Sequence, residues 1–291
     1  MFHLEKTIGF IGTGVMGKSM VRNLQKAGYN VHIYTRTKEK ALQLIDQGCV
    51  WHESVANLAQ QADIIITMVG YPKDVEEVYL GESGIINYAK KGSYLIDMTT
   101  SSPRLAKKIY DIASERGLYA LDAPVSGGDV GAKNGTLAIM VGGDEEAFEA
   151  MLPVFQAMGE NIILQGHAGA GQHTKMSNQI TIASNMIGVC EAIMYAKKAG
   201  LDPTRVLDSI TTGAAGSWSL SHLAPRMIKG DDAPGFYIKH FIKDMIIALE
   251  EADMMKLNMP GLELSLKLYK ELATNGYEDA GTQALIKWFE E

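Results

Sequence analysis

The sequence predicts a mainly parallel, doubly wound α/β domain followed by an all-helical domain, and three observations predict it. Short β-rich runs alternate with helical stretches from residue 7 to about 165, the strand signal then stops, and beyond it apolar residues recur at helical spacing. The strand runs fall at 7–11, 30–34, 63–68, 93–97, 118–122, 136–141 and 161–164, with helices expected at 15–27, 38–46, 72–79, 103–116 and 145–156. Such alternation makes βαβ units, whose strands pair in parallel. The unbroken run Ile64-Ile65-Ile66 suits a strand covered on both faces.

After Gly169-Ala170-Gly171 the pattern changes. Met176, Ile180, Ala183, Ile187, Cys190 and Met194 lie at helical spacing, so one helix is expected from about 171 to Lys198, with Gly200 as its stop. At 1.5 Å per residue it is roughly 40 Å long, enough to run from one domain into the next. Further helices are expected near 202–212, 218–229, 239–256, 260–274 and 281–290. The expected division is a first domain over 1–166 and a helical domain over 167–291, joined by the long interdomain helix.

Composition narrows the classes of function. A chain of 291 residues, 46% hydrophobic and 21% charged, is that of a globular protein of two ordinary domains. The net charge of -7 argues against a nucleic acid or an anionic membrane as partner, since both need a basic face. No run approaches the roughly 18 apolar residues of a membrane span. The first apolar run, Ile8 to Ile11, is too short for a secretory leader, so the expected address is the cytoplasm. Cys49 and Cys190 are far apart and lack CxxC spacing, and no His/Cys/Asp cluster has metal-ligand spacing. Buried free thiols and no metal site are expected.

The chemistry starts at Gly12-Thr13-Gly14-Val15-Met16-Gly17, a G-x-G-x-x-G that follows the first strand and opens the first helix. That context makes it a Rossmann-type dinucleotide loop. Gly12 makes the tight turn, Gly14 lets backbone approach a pyrophosphate, and Gly17 allows close helix–strand packing. The helix N-terminus offers N–H groups and partial positive charge to the phosphates. The end of the second strand selects the cofactor. In place of an acid for the adenosine ribose diol of NAD(H) stands Thr35-Arg36-Thr37, whose guanidinium and hydroxyls suit a 2′-phosphate, so NADP(H) is favoured over NAD(H).

Further along, Ser126-Gly127-Gly128 places a hydroxyl before two residues without side chains, a turn able to aim N–H groups at a carboxylate. Lys175, Asn178 and Gln179 are spaced i, i+3 and i+4, on one face of the long helix. A lysine ammonium there can polarise a carbonyl and supply the proton that a hydride reduction requires. His173, two residues earlier, faces away from that side.

These segments together resemble the β-hydroxyacid dehydrogenase family, which includes 3-hydroxyisobutyrate dehydrogenase, tartronate semialdehyde reductase and the glyoxylate/succinic semialdehyde reductases. The resemblance is carried in order by the glycine loop, by Asp97-Met98-Thr99-Thr100-Ser101-Ser102-Pro103, by Asp122-Ala123-Pro124-Val125-Ser126-Gly127-Gly128, by the run from Gly169 through Lys175 to Gln179, and by Lys243-Asp244. It implies an oxidoreductase that interconverts a small β-hydroxy acid and its semialdehyde by hydride transfer, as a homodimer or homotetramer. It also implies roles: Lys175 as general acid/base, Asn178 orienting it or the substrate, and Ser126, Gly127, Gly128, Gln179 and Trp218 around a small carboxylate-bearing substrate. Met68, Val69 and Gly70 are implied as contacts to the cofactor's ribose and pyrophosphate, Thr99 (or Thr100) as its nicotinamide-end neighbour, and Lys243 as a cofactor contact from the helical domain. One departure is visible, since the family's usual pair of asparagines is Asn178-Gln179 here. Two alternatives stand beside this reading: an imine reductase, whose members generally lack the lysine, and a non-catalytic dinucleotide-sensing module. A 6-phosphogluconate dehydrogenase would need a longer helical half.

Overall fold

Nine strands form one sheet among residues 6–290, the residues that this computed structural model describes. They are β1 (Thr7–Ile11), β2 (Asn30–Tyr34), β3 (Val50–Trp51), β4 (Ile64–Thr67), β5 (Tyr94–Asp97), β6 (Tyr119–Asp122), β7 (Val125–Ser126), β8 (Leu137–Gly142) and β9 (Gly159–Gly166). The order is β3-β2-β1-β4-β5-β6-β8-β7, with β9 beside β8. From β3 to β6 every pairing is parallel, while β8 runs antiparallel to β6 and β7. This is the doubly wound arrangement, in which the strand order reverses between β1 and β4 and leaves a crevice at their carboxyl ends.

Successive side chains of a strand point to opposite faces, and each face here has its own apolar cluster. Ile8, Phe10, Ile64 and Ile66 join one, with Met20, Val21 and Leu24 of helix Val15–Lys26. Ile11, Ile65 and Leu95 join the other, with Leu58, Val75, Tyr79 and Ile109 from helices Val55–Gln61, Pro72–Leu80 and Pro103–Glu115. Each fully buried side chain of this size contributes roughly 1.5–3 kcal/mol. The unbroken apolar run at β4 is therefore explained by helices on both faces.

Two compact units are present, one ending at Lys175 and one beginning at Met176. The division by contacts lies within helix Ala170–Lys198, whose first turns are hydrogen-bonded to the strand ends of the first unit. The second unit is helical, built on the rest of that helix and on Pro203–Ile210, Ile238–Met254, Pro260–Leu272 and shorter turns. Its core gathers Met186, Cys190, Phe241, Met245, Tyr269 and Leu285.

Several short elements differ from expectation. Strands β3 and β7 are two residues each and carry no alternation to read. Helices Val55–Gln61, Ile85–Tyr88 and Gly128–Asn134 were not expected; the last contains Gly128 and Gly131, poor helix formers. The helix expected over 218–229 is two, Trp218–His222 and Ala224–Ile228, divided at Leu223 with Pro225 in the first turn of the second. No helix among the described residues is long and apolar enough to cross a membrane. Cys49 and Cys190 are buried free thiols, and burial pushes the Cys49 thiol up to about 11.

Candidate active site

In the first unit the carboxyl ends of β1, β2 and β4 meet at the glycine loop. The Gly12 N–H donates to the Tyr34 carbonyl at 3.0 Å, and the Met68 N–H donates to the Ile11 carbonyl at 2.9 Å. Gly12 has φ +100, and a Cβ there would collide with the Met68 carbonyl; a Cβ at Gly17 would collide with the Gly12 carbonyl. Gly14, by contrast, faces open space within 4 Å and caps helix Val15–Lys26 without a side-chain hydrogen bond. The first-turn N–H groups of that helix therefore point where an anion fits. Thr13 Oγ1 is buried and has no hydrogen-bond partner. A buried hydroxyl left so costs about 1–3 kcal/mol, which a polar ligand in the loop would relieve. Open space at Gly14, an uncapped helix start and an orphaned hydroxyl together fit a dinucleotide pyrophosphate. Val15 is exposed and Met16 packs partly against the core.

The loops after β4 and β5 are stitched together beside it. The Val69 N–H donates to Thr99 Oγ1 at 3.0 Å, and the Thr99 N–H donates to Asp97 Oδ1 at 3.1 Å. Thr67 Oγ1 donates to the same Asp97 oxygen at 2.8 Å and lies 3.0 Å from the Tyr79 hydroxyl. Burial pushes the Asp97 carboxyl up to about 6, with the Thr67 and Thr99 hydrogen bonds pulling the other way. Gly70 adjoins Asp74, whose Oδ2 accepts from the Tyr71 N–H and whose Oδ1 is 3.4 Å from Arg36 Nη1. The Arg36 side chain is 81% exposed, Thr37 is exposed and Thr35 half-buried. Lys38, which the sequence reading did not single out, lies over the Trp51 ring at 4.3 Å.

Lys175 is buried, and its Nζ donates to the Val125 carbonyl at 2.8 Å. That carbonyl immediately precedes Ser126, so the structure brings the ammonium to the Ser126-Gly127-Gly128 segment. Gly127 (φ +131) and Gly128 (φ +64) turn the chain out of β7 into helix Gly128–Asn134. Two side chains that the sequence reading passed over anchor the turn before Lys175. Asp122 accepts from the Gly169 and Gln172 N–H groups at 2.7 and 2.8 Å. Gln172 donates to the Thr99 carbonyl at 2.7 Å and accepts from the Ser101 N–H at 2.9 Å. Their presence inside the two motifs was the available signal; their pairing was not.

In the second unit a buried relay fixes Asn178. Gln179 Nε2 donates to Asp244 Oδ2 at 2.6 Å, and Asn178 Nδ2 donates to Gln179 Oε1 at 2.8 Å. Lys243 Nζ sits 3.1 Å from the other Asp244 oxygen. A carboxylate accepts only, so Gln179 must present its NH₂ to Asp244, and its carbonyl must then face Asn178. Both ends of the Gln179 amide are thus engaged, and the residue is 1% exposed. Trp218 is 63% exposed and stacks on His222 at 4.7 Å, beginning a helix capped by Ser217. Among the described residues no group of three His, Cys, Asp or Glu side chains could hold a metal ion.

The NAD binding domain of 6-phosphogluconate dehydrogenase describes the family matched by residues 7–166. The NAD-binding domain of NADP-dependent 3-hydroxyisobutyrate dehydrogenase describes that matched by residues 169–289. A probable 3-hydroxyisobutyrate dehydrogenase-like protein of Arabidopsis thaliana is 49% identical over 96% of this chain and 84% of its own. The 2-hydroxy-3-oxopropionate reductase of Escherichia coli is 41% identical over 97% of both chains. The solved structure of Mycobacterium tuberculosis 3-hydroxyisobutyrate dehydrogenase with L-serine matches with a TM-score of 0.91 and 30% identity, over 98% of this chain and 99% of that one. The chain belongs to the NAD(P)-dependent β-hydroxyacid dehydrogenases, in the 3-hydroxyisobutyrate dehydrogenase family.

Proposed function

We propose that this chain reduces a small semialdehyde bearing a carboxylate to its β-hydroxy acid, and catalyses the reverse, with NADP(H) preferred over NAD(H). The observation that carries the reading is the buried Lys175 ammonium held at Val125, next to the Ser126-Gly127-Gly128 turn. Bound at the glycine loop, the dinucleotide supplies or removes the hydride. The chain's own residues do the rest. Gly12 to Gly17 hold the pyrophosphate on the helix N-terminus, with the Thr13 hydroxyl finding its partner there. Met68, Val69, Gly70 and Thr99 line the neighbouring strand ends, and Lys243 is the cofactor contact of the helical unit.

Lys175 donates a proton to the carbonyl oxygen as negative charge develops on it, and takes that proton back in oxidation. Ser126 and the N–H groups of Gly127 and Gly128 receive the substrate carboxylate. Asn178, one turn on from Lys175, orients the substrate oxygen; Gln179 acts through it, fixing which end of its amide is presented. The extra methylene of Gln179 spans to Asp244. Trp218 is the aromatic substrate contact proposed for the helical unit. Arg36, with Thr35 and Thr37, takes the 2′-phosphate, supported by the absence of an acid at the end of β2.

The substrate class draws support from the relatives. One is named for 2-hydroxy-3-oxopropionate and another was solved with L-serine, both small carboxylates with a heteroatom on the β carbon. The test is a panel of semialdehydes and β-hydroxy acids assayed as kcat/KM with NADPH and NADH in parallel. Turnover of carboxylate-bearing members is expected, faster with NADPH, and Lys175→Ala should lower kcat by about 10²–10⁴-fold. Tight NADPH binding without turnover of any member would refute the enzymatic reading. Full activity in Lys175→Ala would refute the assigned role.

A further inference from the structure

The residue before the long helix offers no side-chain cap. It begins at Ala170 after Gly169, which has no side chain to satisfy the first-turn N–H groups that every α-helix leaves open. The acceptor comes instead from Asp122 at the end of β6, 47 and 50 residues away: Oδ1 accepts from Gly169 at 2.7 Å, and Oδ2 from Gln172 at 2.8 Å. One carboxylate thus serves both donors, and its negative charge faces the positive end of the helix. Space for it is made by two glycines. A Cβ at Gly142 would come within 2.5 Å of Asp122 Oδ1, and one at Gly171 within 2.9 Å of Oδ2.

The anchor continues through Gln172, wholly buried, whose amide bridges the Thr99 carbonyl and the Ser101 N–H. Less than one turn later comes Lys175, and its ammonium returns to Val125, three residues after Asp122. Strand end, helix start and lysine therefore close a ring of hydrogen bonds. We propose that Asp122 is the positioning residue for Lys175: by capping the long helix from β6, it fixes the distance between the ammonium and the Ser126 turn. The proposal rests on Lys175 being the proton-transfer group. Asp122 itself touches neither substrate nor cofactor in this role.

The test is a double-mutant cycle in the full-length enzyme. Asp122→Asn keeps the shape but turns one acceptor oxygen into an NH₂ facing an N–H donor. It should lower kcat about 10- to 100-fold, as expected when a reacting group is displaced by about an ångström, while KM and the NADPH Kd move less than about threefold. Against a Lys175→Ala background, measured by single turnover, the same change should slow the reaction less than about twofold, because both act through one ammonium. If Asp122→Asn slows both backgrounds equally, Asp122 has only a structural role and the proposal is overturned. An active Lys175→Ala enzyme would instead remove the reading beneath it. Should Asp122→Asn not fold, Gln172→Asn, which withdraws the amide from Thr99 and Ser101, must show the same loss of kcat and the same silence without Lys175. Equal slowing in both backgrounds would again overturn the proposal.

Discussion

Arg36, proposed above as the contact to a 2′-phosphate, is held by only a weak ion pair. Its guanidinium lies 3.4 Å from Asp74 and is 81% exposed, so the pair belongs to the surface class worth about 0–1 kcal/mol. Asp74 is otherwise occupied, accepting from the Tyr71 N–H at the start of helix Pro72–Leu80. The guanidinium can therefore leave Asp74 at little cost and meet a 2′-phosphate in a charge-assisted contact, worth about 1.5–3 kcal/mol. Arg36→Ala should raise KM for NADPH about 10- to 100-fold and leave kcat/KM with NADH within about threefold. Initial-rate kinetics with both cofactors decides it. An unchanged NADPH KM would mean that the 2′-phosphate is bound elsewhere.

At the scale of elements, the glycine turn separates folding from binding. Gly12 has φ +100 and no room for a Cβ beside Met68, so Gly12→Ala should destabilise the protein by about 1–3 kcal/mol and weaken cofactor binding as well. Gly14 has φ -72, accessible to alanine, and faces open space. Gly14→Ala should therefore keep its stability within about 0.5 kcal/mol yet bind NADPH at least about tenfold more weakly, since the methyl occupies the approach to the helix start. Urea unfolding and fluorescence titration read the two effects apart; a Gly14→Ala enzyme with wild-type affinity would sink the pyrophosphate assignment. These elements were legible because local pattern determines them. The loop sits at a fixed offset between strand and helix, and the long helix declares itself by apolar spacing from Met176 to Met194. Lys175 was legible through its motif, and the hydrogen bond to Val125 then placed it beside Ser126. What local pattern does not record is pairing across distance. The Asp122 cap joins positions 47 and 50 apart, and the Gln179–Asp244 bond joins positions 65 apart. Two-residue strands such as β7 exist only because a neighbour pairs with them, and no periodicity announces that.

For the molecule as a whole, buried titratable groups tie stability to pH with two opposing signs. Asp97 is pushed up to about 6 by burial, and Asp122 is raised for the same leading reason. A carboxyl whose folded value exceeds its unfolded value, about 3.8 for Asp97, holds its proton longer in the native state. Its favourable contribution is complete below pH 4 and is lost as pH rises through 6, amounting to up to about 3 kcal/mol. His32, His52 and His240 are all lowered, chiefly by burial, so the unfolded chain binds more protons and stability falls as pH drops through the usual histidine range. The His32–His52 contact, 2.9 Å between ring nitrogens, needs one donor and one acceptor and is lost when both rings carry a proton. The two trends overlap between about pH 5 and 7, and a substitution resolves them. Asp97→Asn removes the buried charge, while an amide carbonyl still accepts from Thr67 and Thr99. Relative to wild type, the variant should show no advantage in unfolding free energy at pH 4, and an advantage growing to about 1–3 kcal/mol by pH 7.5. With that carboxyl gone, the variant's remaining fall in stability between pH 7 and 5 should be reduced by His52→Gln. A difference between Asp97→Asn and wild type that stays flat from pH 4 to 7.5 would show that Asp97 does not titrate in this window.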